Sequence, residues 1–286
     1  MSSQRRGELA ILAAAFLFGS TFVVMKSAVE TAEPVPFLSA RFLLAALVLA
    51  PIAWKRSASP RLWQDGALAA AALGAGYVFQ TVGLQYTTGS VSAFVTYLFV
   101  VLVPILSALL LHHLPSRPTV VGLVVATTGL VLLTGGAGSL GRGELLTLGC
   151  AVCFAFHVVI LSVVAPRHDP WRLTAVQLLL VGAVLFVPGL FQGGYGFGIT
   201  PWVAAVYTAV AASAAALGLQ TWGQRLIGPT RTALLLLVEP VSAAFLGYAV
   251  GDRLGLPGLV GAVLILTGIA IAEVTPARPA VGEPAD

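Results

Sequence analysis

The sequence contains very few charged residues. Only 9% of its 286 residues are Asp, Glu, Lys or Arg, whereas soluble domains carry about 25%. So little charge cannot cover a surface exposed to water, and 58% of the residues are hydrophobic, with a mean hydropathy of +0.97. Lipid must therefore surround most side chains, which predicts an all-α integral membrane protein in a lipid bilayer.

Cysteine is scarce, asparagine is absent and the familiar catalytic motifs are missing. Cys150 and Cys153 lie inside an apolar run without a second ligand pair, which excludes a disulfide framework and a zinc site. No HExxH, P-loop or GxSxG motif occurs, so we expect no cofactor, no metal and no nucleotide as energy source. The basic residues are dispersed, which excludes a nucleic-acid partner. Arg is far commoner than Lys, as in GC-rich bacterial genomes, so we expect a bacterial inner (cell) membrane.

What is present is a series of apolar runs separated by charges, prolines and glycine clusters. A transmembrane helix needs about 17–25 mostly apolar residues, and the sequence predicts ten such helices. They span residues 8–29, 36–54, 64–86, 90–111, 118–134, 143–164, 171–191, 200–222, 230–250 and 256–273. The connections are short, and the Pro- and Ala-rich tail 276–286 is expected to be disordered.

The distribution of Lys and Arg predicts the orientation of these helices, because cytoplasmic loops are enriched in both. With the N-terminus inside, the inner loops and tails hold eleven of them: Arg5, Arg6, Lys55, Arg56, Arg61, Arg117, Arg167, Arg172, Arg225, Arg231 and Arg278. The outer loops hold only Arg142 and Arg253. We therefore expect both termini to be cytoplasmic.

The second half of the chain repeats the first. For example, Gly7-Glu8-Leu9 matches Gly143-Glu144-Leu145 and Gln80-Thr81 matches Gln220-Thr221, with an offset that drifts only from 136 to 140. Residues 1–135 and 136–275 are therefore predicted to form two repeats of five helices each. Because five is odd, the second repeat enters the membrane from the opposite side. Inverted repeats of this kind build secondary transporters, with a site near the bilayer midplane.

Glycines recur in helices five and ten, the last helix of each repeat. Gly122 and Gly129 match Gly261 and Gly268. Small residues let helices approach closely, so we predict either scaffold contacts between helices or the contact surface of a homodimer.

Three segments carry a family resemblance. They are Phe18-Gly19-Ser20-Thr21-Phe22-Val23-Val24-Met25-Lys26, Ala40-Arg41-Phe42-Leu43-Leu44-Ala45-Ala46, and Pro229-Thr230-Arg231-Thr232-Ala233 followed by Val238-Glu239-Pro240-Val241. Together they resemble the EamA-type transporters of the drug/metabolite transporter superfamily. Phe18 stands where the family often has Trp, and Asp252 stands where a Glu is common. The resemblance implies a ten-helix carrier of small metabolites, often an exporter.

Ionisable side chains inside a membrane are candidates for function, because each costs about 2.5–3.5 kcal/mol on insertion scales. Glu239 lies roughly 13 Å from the inner surface, and His157 lies roughly 21 Å from the outer surface, from the rise per helical residue. The two can therefore be close, as a pair that binds a cation or exchanges protons. Alternatively, Glu239 is a protonated part of a kink at Pro240, and His157 bonds to a hydroxyl group on a neighbouring helix.

Lys26 and Arg41 lie near the outer ends of helices one and two. If they face the substrate path, they suit a carboxylate or another anionic group. Alternatively, each extends outward along its helix, Lys26 towards Glu30 and Arg41 towards Glu33.

The repeat favours these ionisable residues as site residues, because it duplicates the scaffold but not the charges. Arg41, for instance, matches Gln177. Tyr97 in helix four, whose hydroxyl needs a partner inside the membrane, and Gln80 in helix three are further candidates.

The sequence therefore predicts a secondary transporter that exports small organic metabolites, such as amino acids, by alternating access. Substrate gradients or protons would supply the energy. The alternative is an integral membrane enzyme that acts on lipid-linked substrates, with Glu239 and His157 as acid and base. The inverted repeat favours the transporter, because an enzyme has no need of two alternately open states.

Overall fold

The computed structural model describes residues 2–29, 32–53, 59–87, 89–135, 141–249 and 255–273, and every regular element in these ranges is helical. The α-helices are α1 Ser3–Val29, α2 Pro34–Ala53, α3 Pro60–Gly83, α4 Gly89–Tyr97, α5 Phe99–Leu111, α6 Arg117–Thr134, α7 Arg142–Val164, α8 Pro170–Phe191, α9 Ile199–Thr208, α10 Leu217–Ile227, α11 Pro229–Leu236, α12 Val238–Ala249 and α13 Leu256–Glu273. A π-helical segment, Ala209–Ala216, joins α9 to α10.

Eight helical stretches in the described ranges are long and apolar enough to cross a bilayer. They are Pro34–Ala53, Pro60–Gly83, Val91–Leu111, Arg117–Thr134, Arg142–Arg167, Pro170–Phe191, Ile199–Ile227 and Pro229–Leu246. The helix Leu256–Ala272 is also apolar but shorter. The protein is therefore an all-helical, multi-pass membrane protein. Four basic residues used to predict its orientation, and its tail, lie outside the described residues: Lys55, Arg56, Arg253, Arg278 and 276–286.

Side-chain caps fix where several helices begin. Ser59, Ser116 and Asp169 precede α3, α6 and α8, and each accepts a hydrogen bond from the backbone N–H three residues later. Each of these helices also has a proline in its first turn, where the missing N–H breaks no helical hydrogen bond. Glu144 caps α7 by accepting a hydrogen bond of 2.8 Å from the N–H of Gly141. All four helices begin within a few residues of the predicted positions.

The helix ends lie on two faces, each held together by polar contacts. On the first, Glu8 pairs with Arg231 at 2.8 Å, and Asp65 pairs with His168 at 2.7 Å. We call this the N-terminal face. On the second, the Thr87 hydroxyl donates a hydrogen bond to Glu144. We call this the opposite face.

The glycines predicted to allow close packing do so within the chain, between α6 and α13. A Cβ atom added to Gly129 would lie 2.6 Å from the carbonyl oxygen of Gly261. A Cβ atom added to Gly122 would likewise lie too close to the carbonyl oxygen of Gly268. The two backbones therefore meet without side chains between them, as in small-residue interfaces of membrane proteins.

Other helix pairs also correspond between the two halves of the chain. α3 packs against α7, and α1 packs against α10 in the same way. α2 packs against its counterpart α8, as α6 does against α13. The packing is therefore symmetric: when each helix of a packed pair is replaced by its counterpart in the other half, the resulting two helices also pack together.

The predicted helices 90–111 and 230–250 are each interrupted by one tighter turn at corresponding places. Leu98, between α4 and α5, and Leu237, between α11 and α12, keep helical backbone angles but donate to the carbonyl three residues earlier, and both stretches continue across the turn. Leu237 lies three residues before Pro240, which lacks an N–H and crowds the preceding turn. α5 and α11 pack together, so the two interruptions lie in one region of the bundle.

Candidate functional site

A cavity of about 140 Å³ lies among α1 to α5, α7 and α10 to α12. For comparison, an apolar cavity of about 150 Å³ holds benzene. Five of the six residues predicted for the substrate site line its wall: Arg41, Gln80, Tyr97, His157 and Glu239. The side chain of the sixth, Lys26, lies outside the described residues. The structure thus brings together residues from both halves of the chain around a space that fits a small organic molecule.

The two helix interruptions place Tyr97 and Glu239 at the cavity. Tyr97 is the last residue of α4, and Glu239 is the second residue of α12. Both residues line the cavity wall, Tyr97 from the first half of the chain and Glu239 from the second. Interruptions of membrane helices are a recurring feature of transporter substrate sites.

Arg41 is held inside the protein and does not extend along its helix towards Glu33. Its side chain is buried, with 3% of the residue exposed. Nε donates to Ser213 Oγ at 2.8 Å, and one terminal nitrogen donates to the Tyr77 hydroxyl at 3.4 Å. The guanidinium also lies over the Tyr77 ring, 5.0 Å from its centroid. These contacts compensate for removing a charge from water.

Ser213, the acceptor for Arg41, lies in the π-helical segment Ala209–Ala216. π-Helical turns are rare and frequently occur at functional sites. All other residues of this segment are Ala or Val. Because these side chains are small, α1 and α2 pack directly against the segment, and the Arg41 side chain reaches Ser213.

His157 lines the cavity, but the structure does not pair it with Glu239 as the sequence suggested. Its Nε2 is 2.8 Å from Oε1 of Gln177. Gln177 in turn donates to the backbone oxygen of Leu173 at 3.2 Å. Glu239 lines the same cavity as His157, so a Glu–His pair that binds a cation or exchanges protons stays a prediction. Depth along the membrane gives no information on the direction in which a side chain leaves its helix.

Arg41 brings a cation to the cavity wall and Glu239 brings an acid. The rings of Phe18 and Phe154 contribute to the wall. The cavity therefore combines a cation, an acid and apolar surface.

Sequence reasoning missed five polar residues of the wall, including Tyr77 and Gln220. Gln220 matches Gln80 in the internal repeat, so the repeat itself pointed to it. Tyr77 precedes Gln80 by three residues on α3, and residues at this spacing share a helix face. Neither residue is ionised in its ordinary state, and the search by charge therefore passed over both.

The described residues contain no group of three or more His, Cys, Asp and Glu that could hold a metal ion. Cys150 and Cys153 are free thiols on α7, and the Thr96 hydroxyl lies 4.0 Å from the sulfur of Cys150.

Known proteins resemble this chain over nearly its whole length. The EamA-like transporter family matches residues 5–135 and 141–273. A protein of Archaeoglobus fulgidus named as an uncharacterized transporter is 30% identical over 272 residues, which cover 92% of this chain and 84% of the relative. The uncharacterized transporter YwfM of Bacillus subtilis is 25% identical, with 97% of each chain covered. A solved crystal structure has the same fold, with a TM-score of 0.83, 20% identity and coverage of 95% of this chain and 97% of that one.

These relatives decide between the two classes of function left open by the sequence. The matched family and the named relatives are transporters, so the protein is a membrane transporter and not an enzyme that acts on lipid-linked substrates. Its partners are accordingly a small-molecule substrate and the lipid bilayer. By the match of both halves and by its relatives, the chain belongs to the EamA-like transporter family.

Proposed function

We propose that this protein is a secondary transporter that exports small organic metabolites, such as amino acids, across a bacterial inner membrane by alternating access. The observation that carries the proposal is the cavity lined by both Arg41 and Glu239. Ionisable residues deep in a membrane protein are costly, and they usually lie on the path of a substrate or an ion.

The proposed architecture is ten transmembrane helices arranged as two inverted five-helix repeats, residues 1–135 and 136–275. The symmetric packing of the helices supports it: α3 packs against α7 as α10 packs against α1, and α6 packs against its counterpart α13. α1 and α13 would complete the count begun by the eight apolar stretches. Inverted repeats with interrupted helices near the midplane are a recurring construction of secondary transporters.

The wall of the cavity suggests how a zwitterion would bind. Arg41 uses only part of its guanidinium for Ser213 and Tyr77, so N–H donors remain for the carboxylate of the substrate. The side-chain amides of Gln80 and Gln220 offer acceptors for its amino group. The aromatic rings on the wall would pack against its apolar part.

The proposed orientation places the N-terminal face and both termini in the cytoplasm. Its described loops and helix ends carry Arg5, Arg6, Arg61, Arg117, Arg167, Arg172, Arg225 and Arg231. The described part of the opposite face carries Arg142. Such an excess of basic residues is typical of the cytoplasmic side.

Exchange of labelled amino acids by the purified protein in liposomes tests the proposed function. We expect the wild-type protein to exchange at least one small zwitterion, and Arg41→Gln to lose that exchange because the carboxylate loses its cation. Arg61→Gln is the matched control, since Arg61 is exposed on the N-terminal face and pairs only loosely with Asp65, at 3.8 Å. An Arg41→Gln protein that exchanges every substrate at the wild-type rate would overturn the assignment of Arg41.

A further inference from the structure

The cavity extends towards only one face of the membrane. On the opposite-face side it is lined by Leu84, at the end of α3, and by Ser92, in the first turn of α4. On the other side, none of the described residues in the last turn of α10 or the first turn of α11 lines it. The structure is therefore closed towards the N-terminal face.

The closed region contains five polar side chains that are almost completely buried. They are Thr174, Gln177, Thr221, Gln224 and Thr232. Thr174 donates to Thr221 at 3.0 Å, and Gln177 bonds to His157 at the bottom of the cavity. A permanently closed helix interface could be built from apolar side chains without the cost of burying these groups.

Gln224 is the clearest case. It has no exposed surface, and its Nε2 donates to the backbone oxygen of Val158. Its Oε1 accepts no hydrogen bond from any described residue. A buried amide oxygen without a donor is costly and calls for a functional explanation.

The internal repeat supplies that explanation. At the middle of the cavity both members of a matched pair line the wall, as Phe18 and Phe154 do, and as Gln80 and Gln220 do. Towards the opposite face, only one member of each matched pair lines the cavity. Leu84 and Ser92 are in its wall, and their counterparts in the second half of the chain are not.

Those counterparts are the buried polar residues of the closed region. The offset of 140 that relates Gln80 to Gln220 also relates Leu84 to Gln224 and Ser92 to Thr232. The offset of 136 in the first two helices of each repeat relates Arg41 to Gln177. The repeats are inverted, so equivalent positions in the two halves lie towards opposite faces of the membrane. Gln224, Thr232 and Gln177 therefore lie towards the N-terminal face, as their counterparts in the cavity wall lie towards the opposite face.

We propose that Gln224, Thr232 and Gln177 line the substrate path when the protein opens towards the N-terminal face. In that state the free Oε1 of Gln224 accepts a hydrogen bond from an N–H group of the substrate. The inference deepens the proposed function and rests on it, because it needs a protein that opens alternately to the two faces.

Contacts at the N-terminal face keep this path closed. Glu8 pairs with Arg231 at 2.8 Å, one residue before Thr232. A Cβ atom on Gly223, the neighbour of Gln224, would lie 2.7 Å from the backbone oxygen of Gly7. The first turns of α1 therefore cover the end of α10 and the start of α11. Opening requires that α1 move away from them.

Cysteine accessibility tests this path. In a Cys150→Ala/Cys153→Ala background, Gln224→Cys and, as a smaller change, Thr232→Cys are treated with a membrane-impermeant thiol reagent in vesicles of each orientation. We expect both to react only from the N-terminal face, and Leu84→Cys to react only from the opposite face. Ala126→Cys is the matched control, since Ala126 is fully buried on α6, and it should stay unreactive.

Adding Glu8→Gln, which removes the ion pair with Arg231, should speed labelling of Gln224→Cys and Thr232→Cys several-fold and slow that of Leu84→Cys. Arg61→Gln should change neither rate. If neither new cysteine reacts, even with Glu8→Gln, in a protein that still exchanges substrate, the path is wrong and the proposed function stands. If both react but no small zwitterion is exchanged, the path stands and the proposed substrate class is wrong.

Discussion

Tyr97 and Glu239 come from different halves of the chain, line the same cavity, and each lies beside the tight turn that interrupts its helix. Tyr97 ends α4 just before Leu98, and Glu239 is the second residue of α12, just after Leu237. A movement of one half of the chain against the other would change the distance between these two residues.

The effects of Tyr97→Phe and Glu239→Gln on transport should therefore not add. Tyr97→Phe removes only the hydroxyl group, and substitutions at neighbouring residues of one site commonly interact. We expect it to change the exchange rate several-fold in the wild-type background and much less when Glu239 is already Gln. A double-mutant cycle of initial exchange rates measures the coupling. Strictly additive effects would show that the two residues act independently.

Close packing of α6 on α13 should make Gly129 essential for stability. A Cβ atom there would lie 2.6 Å from the backbone oxygen of Gly261, which cannot move like a flexible side chain. We expect Gly129→Ala to destabilise the protein by about 1–3 kcal/mol, as overpacking does. Thermal unfolding in detergent measures this, with Gly196→Ala as control because its Cβ would meet nothing within 4 Å. An equal melting temperature for the two variants would contradict the packing.

The sequence predicted these helices well because each depends on local information. Apolar runs predicted where the eight long helical stretches lie, and Ser59, Ser116 and Asp169 with their following prolines are local signals for the starts of three of them. The five residues predicted from the sequence that line the cavity could be found because burying an ionisable or hydrogen-bonding group in a membrane is costly wherever the side chain points.

The partners of those residues could not be predicted, because they depend on the direction in which each side chain leaves its helix. His157 bonds to Gln177, although depth alone made a contact between His157 and Glu239 equally reasonable. The π-helical segment is a run of Ala and Val around Ser213. Nothing in that composition separates it from an ordinary α-helix.

Topology can be tested at two exposed positions on opposite faces. Leu114 follows α5 at the N-terminal face, and Gly196 lies in the loop between α8 and α9. In a background without Cys150 and Cys153, Leu114→Cys should react with an impermeant reagent only from the cytoplasmic side, and Gly196→Cys only from outside. The opposite result would reverse the proposed orientation without affecting the cavity.

The last prediction concerns the energy source of transport. Glu239 is an acid in the wall of a cavity that, on our proposal, faces each side of the membrane in turn. A carboxyl group in this position can take up a proton on one side and release it on the other. Glu239→Gln keeps the shape and hydrogen-bonding capacity of the side chain but removes its ability to titrate.

If Glu239 couples protons to transport, Glu239→Gln in proteoliposomes should abolish accumulation driven by a pH gradient and leave exchange of substrate for substrate intact. Exchange of substrate for substrate needs only a cavity that binds substrate and opens alternately to the two sides of the membrane, and Arg41 still provides the cation for a carboxylate. Loss of both activities would instead mean that Glu239 binds the amino group of the substrate in a uniporter. If both activities persist at the wild-type level, Glu239 serves only the break in its helix, and the proton source must lie elsewhere.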